Sequence, residues 1–208
     1  MNPRPIFEFA SLIAEEDLYF DGDVRVNGDV MVKGCLIVMG DLTVSGHFFA
    51  YDAVCFGDLC ARGNVEGADL AVGRTVVAGQ LIYCTTLLAG FAPYYLARSK
   101  DRGELIDPIT EYPRLKSRIH QVCFPRSPEL LTAQGLVSPV CVSRLLCCMT
   151  IRATTSVEVV DIFDAEGAFI DGRLKAGTVK IRSSMEVHGG IECDGALEIA
   201  PGCLNERE

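Results

Sequence analysis

The chain has 208 residues, 49% of them hydrophobic, with 20 glycines, 10 cysteines, no tryptophan and a formal net charge of -9. That length and apolar content suffice for one domain with a substantial core. The acidic balance argues against nucleic acid as a partner, because affinity for phosphates comes mainly from Lys and Arg. The cysteines form neither a CxxC pair nor a CxxC followed by HxxxH, so they suggest no metal site.

Residues 1–15 are expected to form an N-terminal cap on the first repeat. Glu8, Glu15 and Glu16 interrupt the first apolar stretch, so it does not read as a secretory leader. The run Ser11-Leu-Ile-Ala-Glu-Glu is expected as one helical turn or irregular chain over the first rung. From residue 16 to 91 a six-residue period takes over. Gly22, Gly28, Gly34, Gly40 and Gly46 lead the units Gly-Asp-Val-Arg-Val-Asn, Gly-Asp-Val-Met-Val-Lys, Gly-Cys-Leu-Ile-Val-Met, Gly-Asp-Leu-Thr-Val-Ser and Gly-His-Phe-Phe-Ala-Tyr. The register slips after Tyr51 and recovers at Gly57, running on through Gly79-Gln-Leu-Ile-Tyr-Cys and Thr85-Thr-Leu-Leu-Ala-Gly.

Residues 92–136 break the repeat with Pro93, Pro108, Pro113, Pro125 and Pro128. Between Arg98 and Arg126 basic residues outnumber acidic ones by three, which leaves the remainder of the chain at -12. The run Ser127 to Gly135 reads as a short helix with a Ser N-cap, Pro in its first turn and a Gly terminator. This segment is taken as an excursion against the side of the repeat. The period resumes over 137–203, from Ser143-Arg-Leu-Leu-Cys-Cys through Met149, Thr155 and Asp161. It shortens at Gly167 and Gly172, then settles into the series of Gly177, Ser183, Gly189 and Gly195. Residues 204–208 form a charged tail.

In each unit the third and fifth places are apolar, the period of a strand with one buried face, while the leading glycine supplies a corner by positive φ or by close backbone approach. Tight six-residue strands and corners repeated along a chain specify a β-solenoid. Three units per turn place residue i over i+18. Val24 then stacks on Leu42, Val26 on Val44, Val179 on Leu197 and Ile181 on Ile199, with Lys180 over Glu198 outside. These inward residues and Val187 are the expected core. Roughly seven turns at about 4.8 Å give a rod about 30 Å tall. The acyltransferase hexapeptide pattern of left-handed β-helices fails here. Gly falls one place late, and its small-residue corner would carry Val30, Leu36, Leu42 and Phe48. The predicted fold is an all-β, right-handed, three-sided parallel β-helix with six-residue sides, interrupted by a loop and short-helix excursion.

Those repeats, Gly-Asp-Val-Arg-Val-Asn-Gly-Asp-Val-Met-Val and Val-His-Gly-Gly-Ile-Glu-Cys-Asp-Gly-Ala-Leu-Glu-Ile above all, resemble the repeats of bactofilins, the bacterial polymer-forming cytoskeletal proteins. More loosely they are similar to the β-helical domain of a septum-site division inhibitor. The resemblance covers residues 16–91 and 137–203. It implies a right-handed three-sided β-helix that associates end to end without nucleotide. The long internal excursion and short tail depart from that family's uninterrupted core and Pro-rich tails.

Candidate chemistry is sparse. His47 and His188 fall at outward places and His120 lies in the excursion, so they read as surface histidines rather than as a transferase base. Asp23, Asp29 and Asp41 follow corner glycines and read as turn chemistry, with a cation-binding ladder as the alternative. Cys147 is placed inward and Cys148 outward, making Cys148 the one candidate reactive thiol of the pair. Residues 78–97 are uncharged and long enough for a membrane span, but Leu81, Tyr83, Leu87 and Ala89 keep the six-residue phase and favour buried strand. No catalytic, cofactor or metal residue is assigned.

The expected function is a non-enzymatic, self-associating scaffold in the cytoplasm with reduced thiols. Its partner is a second copy, as a dimer or a filament, and a membrane surface is left open without being indicated. The contact residues are placed at Phe91, Tyr94, Tyr95 and Leu96, and at Arg114, Lys116 and Arg118, whose charge complements the acidic solenoid. An assembly subunit that docks another protein on the excursion is the alternative. A hexapeptide-type acyltransferase-like enzyme is a remote one.

Overall fold

The computed structural model of the chain describes residues 4–91, 139–201 and 203. Among these there is no helix, and every strand pairing is parallel. Strands come in three ladders, so the molecule is a three-sided β-helix. The first face stacks β1 (Ile6–Phe9), β4 (Asp23–Val26), β6 (Leu42–Val44), β8 (Leu59–Ala61) and β10 (Val76–Ala78). It continues in the first parts of β12 (Cys141–Ala153), β13 (Val157–Ile170) and β14 (Leu174–Val187), and ends in β15 (Ile191–Cys193). The second stacks β2 (Leu12–Ala14), β5 (Val30–Val38), β7 (Phe48–Cys55), β9 (Val65–Val72) and β11 (Leu81–Ala89), then the middles of β12 to β14, then β16 (Leu197–Ile199). The third begins with β3 (Leu18–Phe20) and uses the later halves of the long strands. Nine levels result on the first two faces, two more turns than the repeat count predicts.

The extra turns exist because a turn is not fixed at three full sixes. Val24 pairs with Leu42, and the corner bond between Asp41 and Asp23 spans 18 residues, but Leu42 pairs with Leu59 and the next corner bond spans 17. Dropping a corner residue costs the ladder nothing so long as inward residues stay in line. The irregular stretches after Tyr51 and around Gly167 and Gly172 therefore coil like the rest. The 92–136 excursion leaves beyond Gly90, whose φ is 83°, and the chain re-enters one level higher, with Val76 and Val77 paired to Cys141 and Val142. Thr154 closes this junction by donating its hydroxyl to the Gly90 carbonyl at 2.9 Å. The expected Ser127–Gly135 helix lies outside the described residues, as do the tail at 204–208 and the whole 92–136 excursion.

Inward Val, Leu, Ile, Ala and Cys side chains from all three faces merge into one continuous core. Val24, Val26, Leu42, Val44, Val179 and Ile181 are buried, and each predicted pair is in register, Lys180 over Glu198 included. Val187 and Ile199 are half-buried, and Leu197 is 51% exposed, because they lie in the last turn with no described level above them. A second cluster lies outside the third face. Ile37, Val54 and Leu88 point away from the main core yet are at most 3% exposed, together with Phe91.

Three expectations are corrected. Residues 6–9 and 12–14 are not a cap: Phe7 pairs with Val24 and Leu12 with Val30, so these segments are the first level itself. Leu81 and Tyr83 do not point inward; Ile82 and Cys84 do, and Tyr83 is 55% exposed. Gly79 sits one place earlier at its corner than other glycines, and Gln80 takes the stacked position over Gly63. The inward residues still stand four apart across the corner, as Val44 and Phe48 do, and Ala78 is followed by Ile82. The same slip occurs at 143–148, where a register shift between Ser143 and Leu145 turns Leu146 and Cys148 inward.

Candidate functional site

Polar side chains of the solenoid are engaged mainly at its corners. Asp23 Oδ1 accepts the Asp41 N–H at 2.9 Å, Asp41 Oδ1 accepts that of Asp58 at 3.0 Å, and Asp58 Oδ1 that of Thr75 at 3.0 Å. Along another corner Asp29 accepts from His47 N–H at 2.7 Å, and His47 Nδ1 accepts from Asn64 N–H at 3.1 Å. Each side chain thus replaces a backbone acceptor where the strand ladder breaks, the role Asp and Asn fill in turns. The Arg74 guanidinium lies on the first of these columns, donating to Asp41 and, at 2.9 Å, to Asp58. It holds the position a cation would need. Among the described residues no group of three or more His, Cys, Asp or Glu could hold a metal ion.

His47 and His188 are both exposed, His188 between Glu186 at 2.9 Å and Asp171 at 3.4 Å. The thiol assignment reverses: Cys148 is buried and Cys147 half-buried and outward. Burial pushes the thiols of Cys84, Cys141 and Cys148 up, and that of Cys55 to about 12. Thiolate, the reactive form, is therefore scarce at the core cysteines. Among the described residues no helix is long and apolar enough to cross a membrane.

The three outer faces differ. The first carries ion pairs between levels, Arg25 with Glu8 at 3.6 Å and Lys175 with Glu192 at 3.0 Å. The third carries the covered cluster of Ile37, Val54, Leu88 and Phe91. On the second, Ile13, Met31 and Phe49 form an outward ladder with exposures of 71%, 48% and 37%. Tyr51 and Tyr83 extend it, and Leu145, Met149 and Ile162 continue it upward. Of twelve exposed large hydrophobic side chains among the described residues, these eight lie on the second face or at one of its two edges. Such a concentration marks an interaction surface.

Of the contact residues expected from sequence, Phe91 is fully buried, with its ring edge-on to Phe56 at 5.4 Å, and so serves packing. Tyr94, Tyr95, Leu96, Arg114, Lys116 and Arg118 lie outside the described residues. The apolar second face escapes a reading confined to inward places. Its signal stands in the outward ones, where Ile13, Met31 and Phe49 are 18 residues apart.

No protein-family model, curated protein or solved structure matches this chain.

Proposed function

We propose that the protein is a non-enzymatic scaffold, similar in repeat and in role to the bactofilins, and that it self-associates in the reducing cytoplasm. The observation that carries this reading is the state of the two ends. Among the described residues, strands β1, β2 and β3 each pair on one side only, as do β15 and β16. A terminal level with unpaired N–H and C=O groups is a template for another strand. At the N-terminal end Phe7, Phe9 and Phe20 pack ring against ring, 5.2 and 5.6 Å between centroids, and remain half-exposed. At the other end Leu197 is half-exposed in an inward place. Both ends thus offer main-chain pairing and apolar contact together, the combination that end-to-end stacking requires. The engagement of Asp, His and Arg side chains in corner and inter-level bonds supports a structural rather than a catalytic use of the fold.

Light scattering of the purified full-length protein, with negative-stain microscopy, tests this. Stacked rods or short filaments that shorten in the Leu197→Lys variant are expected. A wild-type chain that shows no end-to-end contact at any concentration refutes the reading.

A further inference from the structure

We infer that the second face is a docking surface for a second copy of this chain, laid face to face and antiparallel. This goes beyond end-to-end stacking, since it uses a different surface and survives if the ends do not associate.

The faces argue for it by contrast. Levels of the first face are tied by exposed ion pairs, and Ile37, Val54 and Leu88 on the third are already covered, Phe169 alone standing 36% exposed there. Among the described residues, only the second leaves a run of aromatic and Met side chains stacked and open over successive levels. Its area suits a copy of itself. Nine levels at about 4.8 Å make a face about 38 Å tall, and a six-residue side is about 18 Å wide. The product, about 700 Å² per copy, approaches the roughly 800 Å² per partner of a standard interface.

Orientation is set by the central column. From the bottom it reads Ile13, Met31, Phe49, Glu66, Tyr83, Cys147, Asp164, Lys180 and Glu198. Parallel pairing sets Glu66 against Glu66, with like charges opposed in an apolar setting. A two-fold axis between the fourth and fifth levels instead sets Glu66 against the Tyr83 hydroxyl, a donor to its carboxylate. It also sets Phe49 against Cys147 and Tyr51 against Met149. The charges left opposite apolar groups already have partners: Asp164 holds Arg182 at 2.6 Å, and Lys180 holds Glu198 at 3.5 Å.

The test is analytical ultracentrifugation of the full chain in a Leu197→Lys background, which removes end stacking, so the two readings fail separately. A dimer is expected. Phe49→Glu and Met149→Glu should each weaken it at least tenfold, while Thr43→Glu, the same charge on the first face, leaves it unchanged; circular dichroism confirms folding of each. A short amine-reactive cross-linker should join Lys33 of one copy to Lys180 of the other. Within a copy these lie six levels, about 29 Å, apart. A monomer throughout the micromolar range, a dimer indifferent to both face-two variants, or one weakened equally by Thr43→Glu overturns the assignment. A dimer without the Lys33–Lys180 link overturns its antiparallel form.

Discussion

Gly40→Ala isolates what the corner glycines are for. Gly40 does not have a positive φ; among the described residues only Gly90 and Gly190 do. The constraint at Gly40 is the level below. A Cβ there would lie 2.7 Å from the carbonyl carbon and oxygen of Gly22 and would collide with the Asp23 carboxylate. Two costs result. Asp23 must swing away and strand the Asp41 N–H, worth about 1–3 kcal/mol for a partly buried donor. The two levels must part by about 0.7 Å to restore ordinary contact, an overpacking cost of about 1–3 kcal/mol. The alanine narrows the unfolded ensemble and returns about 0.4–1 kcal/mol. The net loss is about 1–5 kcal/mol and centres near 3 kcal/mol, a large share of the 5–15 kcal/mol typical of a folded domain. Asp23→Ala alone incurs the first cost, so the double variant should lose less than the two singles summed, by about 1–3 kcal/mol. Gly190→Ala is the contrast: φ is 88° and nothing lies within 4 Å of its Cβ. It should lose only the left-handed backbone cost of about 1–2 kcal/mol. Urea unfolding monitored by far-ultraviolet circular dichroism measures all four. Because stacked repeats can open in parts, amide exchange at Asp41 and Asp58 is read beside it. A Gly40→Ala loss under about 1 kcal/mol, a loss smaller than that of Gly190→Ala, or strict additivity with Asp23→Ala would refute close stacking as the cause.

Val44, 1% exposed between Val26 and Ala61, should tolerate alanine at about 1–2 kcal/mol, whereas Val44→Asp buries an unpaired carboxylate and should abolish the cooperative melting transition. Thiol titration in denaturant without reductant should count close to ten. In the native protein Cys55, Cys84, Cys141 and Cys148 should react last because burial raises their thiols. Half-burial raises the Asp171 carboxyl above its usual 3.8, against the opposing pull of His188. The folded state then holds that proton more tightly than the unfolded chain does. The resulting stabilisation is full below pH 3.8 and lost as pH climbs through the raised value. Asp171→Asn should flatten that part of the stability profile, read by thermal melts at successive pH values.

The fold is legible because two signals agree over much of the chain: a small residue at each corner and apolar residues at places three and five. Where they part, the corner glycine misleads. Taken as the anchor, Gly79 puts Leu81 and Tyr83 inside. The distance between inward residues across the corner, four from Ala78 to Ile82 as from Val26 to Val30, puts Ile82 and Cys84 there instead. At Ser143 to Leu146 even that distance changes, because the ladder bulges, and no local pattern foretells a bulge. The N-terminal segment is hard to read for another reason. Phe7 and Phe9 alternate correctly, but one level cannot establish a period by itself.

Outward residues are harder, because alternation tells which side chains leave the core and not what meets them. Ile37, Val54 and Leu88 on the third face and Met31, Phe49 and Tyr83 on the second are the same kind of residue in the same kind of place, yet the former are buried and the latter open. One account of the open set needs no partner. Stacked β-branched and aromatic pairs stabilise a sheet by about 0.2–1 kcal/mol each, so any outward column gains from them. That account predicts an even spread over the faces. The first face instead uses Glu8 with Arg25 and Lys175 with Glu192, on the same backbone and at the same spacing. Polar pairs therefore serve as well between levels here. The confinement of eight exposed hydrophobic side chains to one side is a property of that side, and intrachain pairing alone does not produce it.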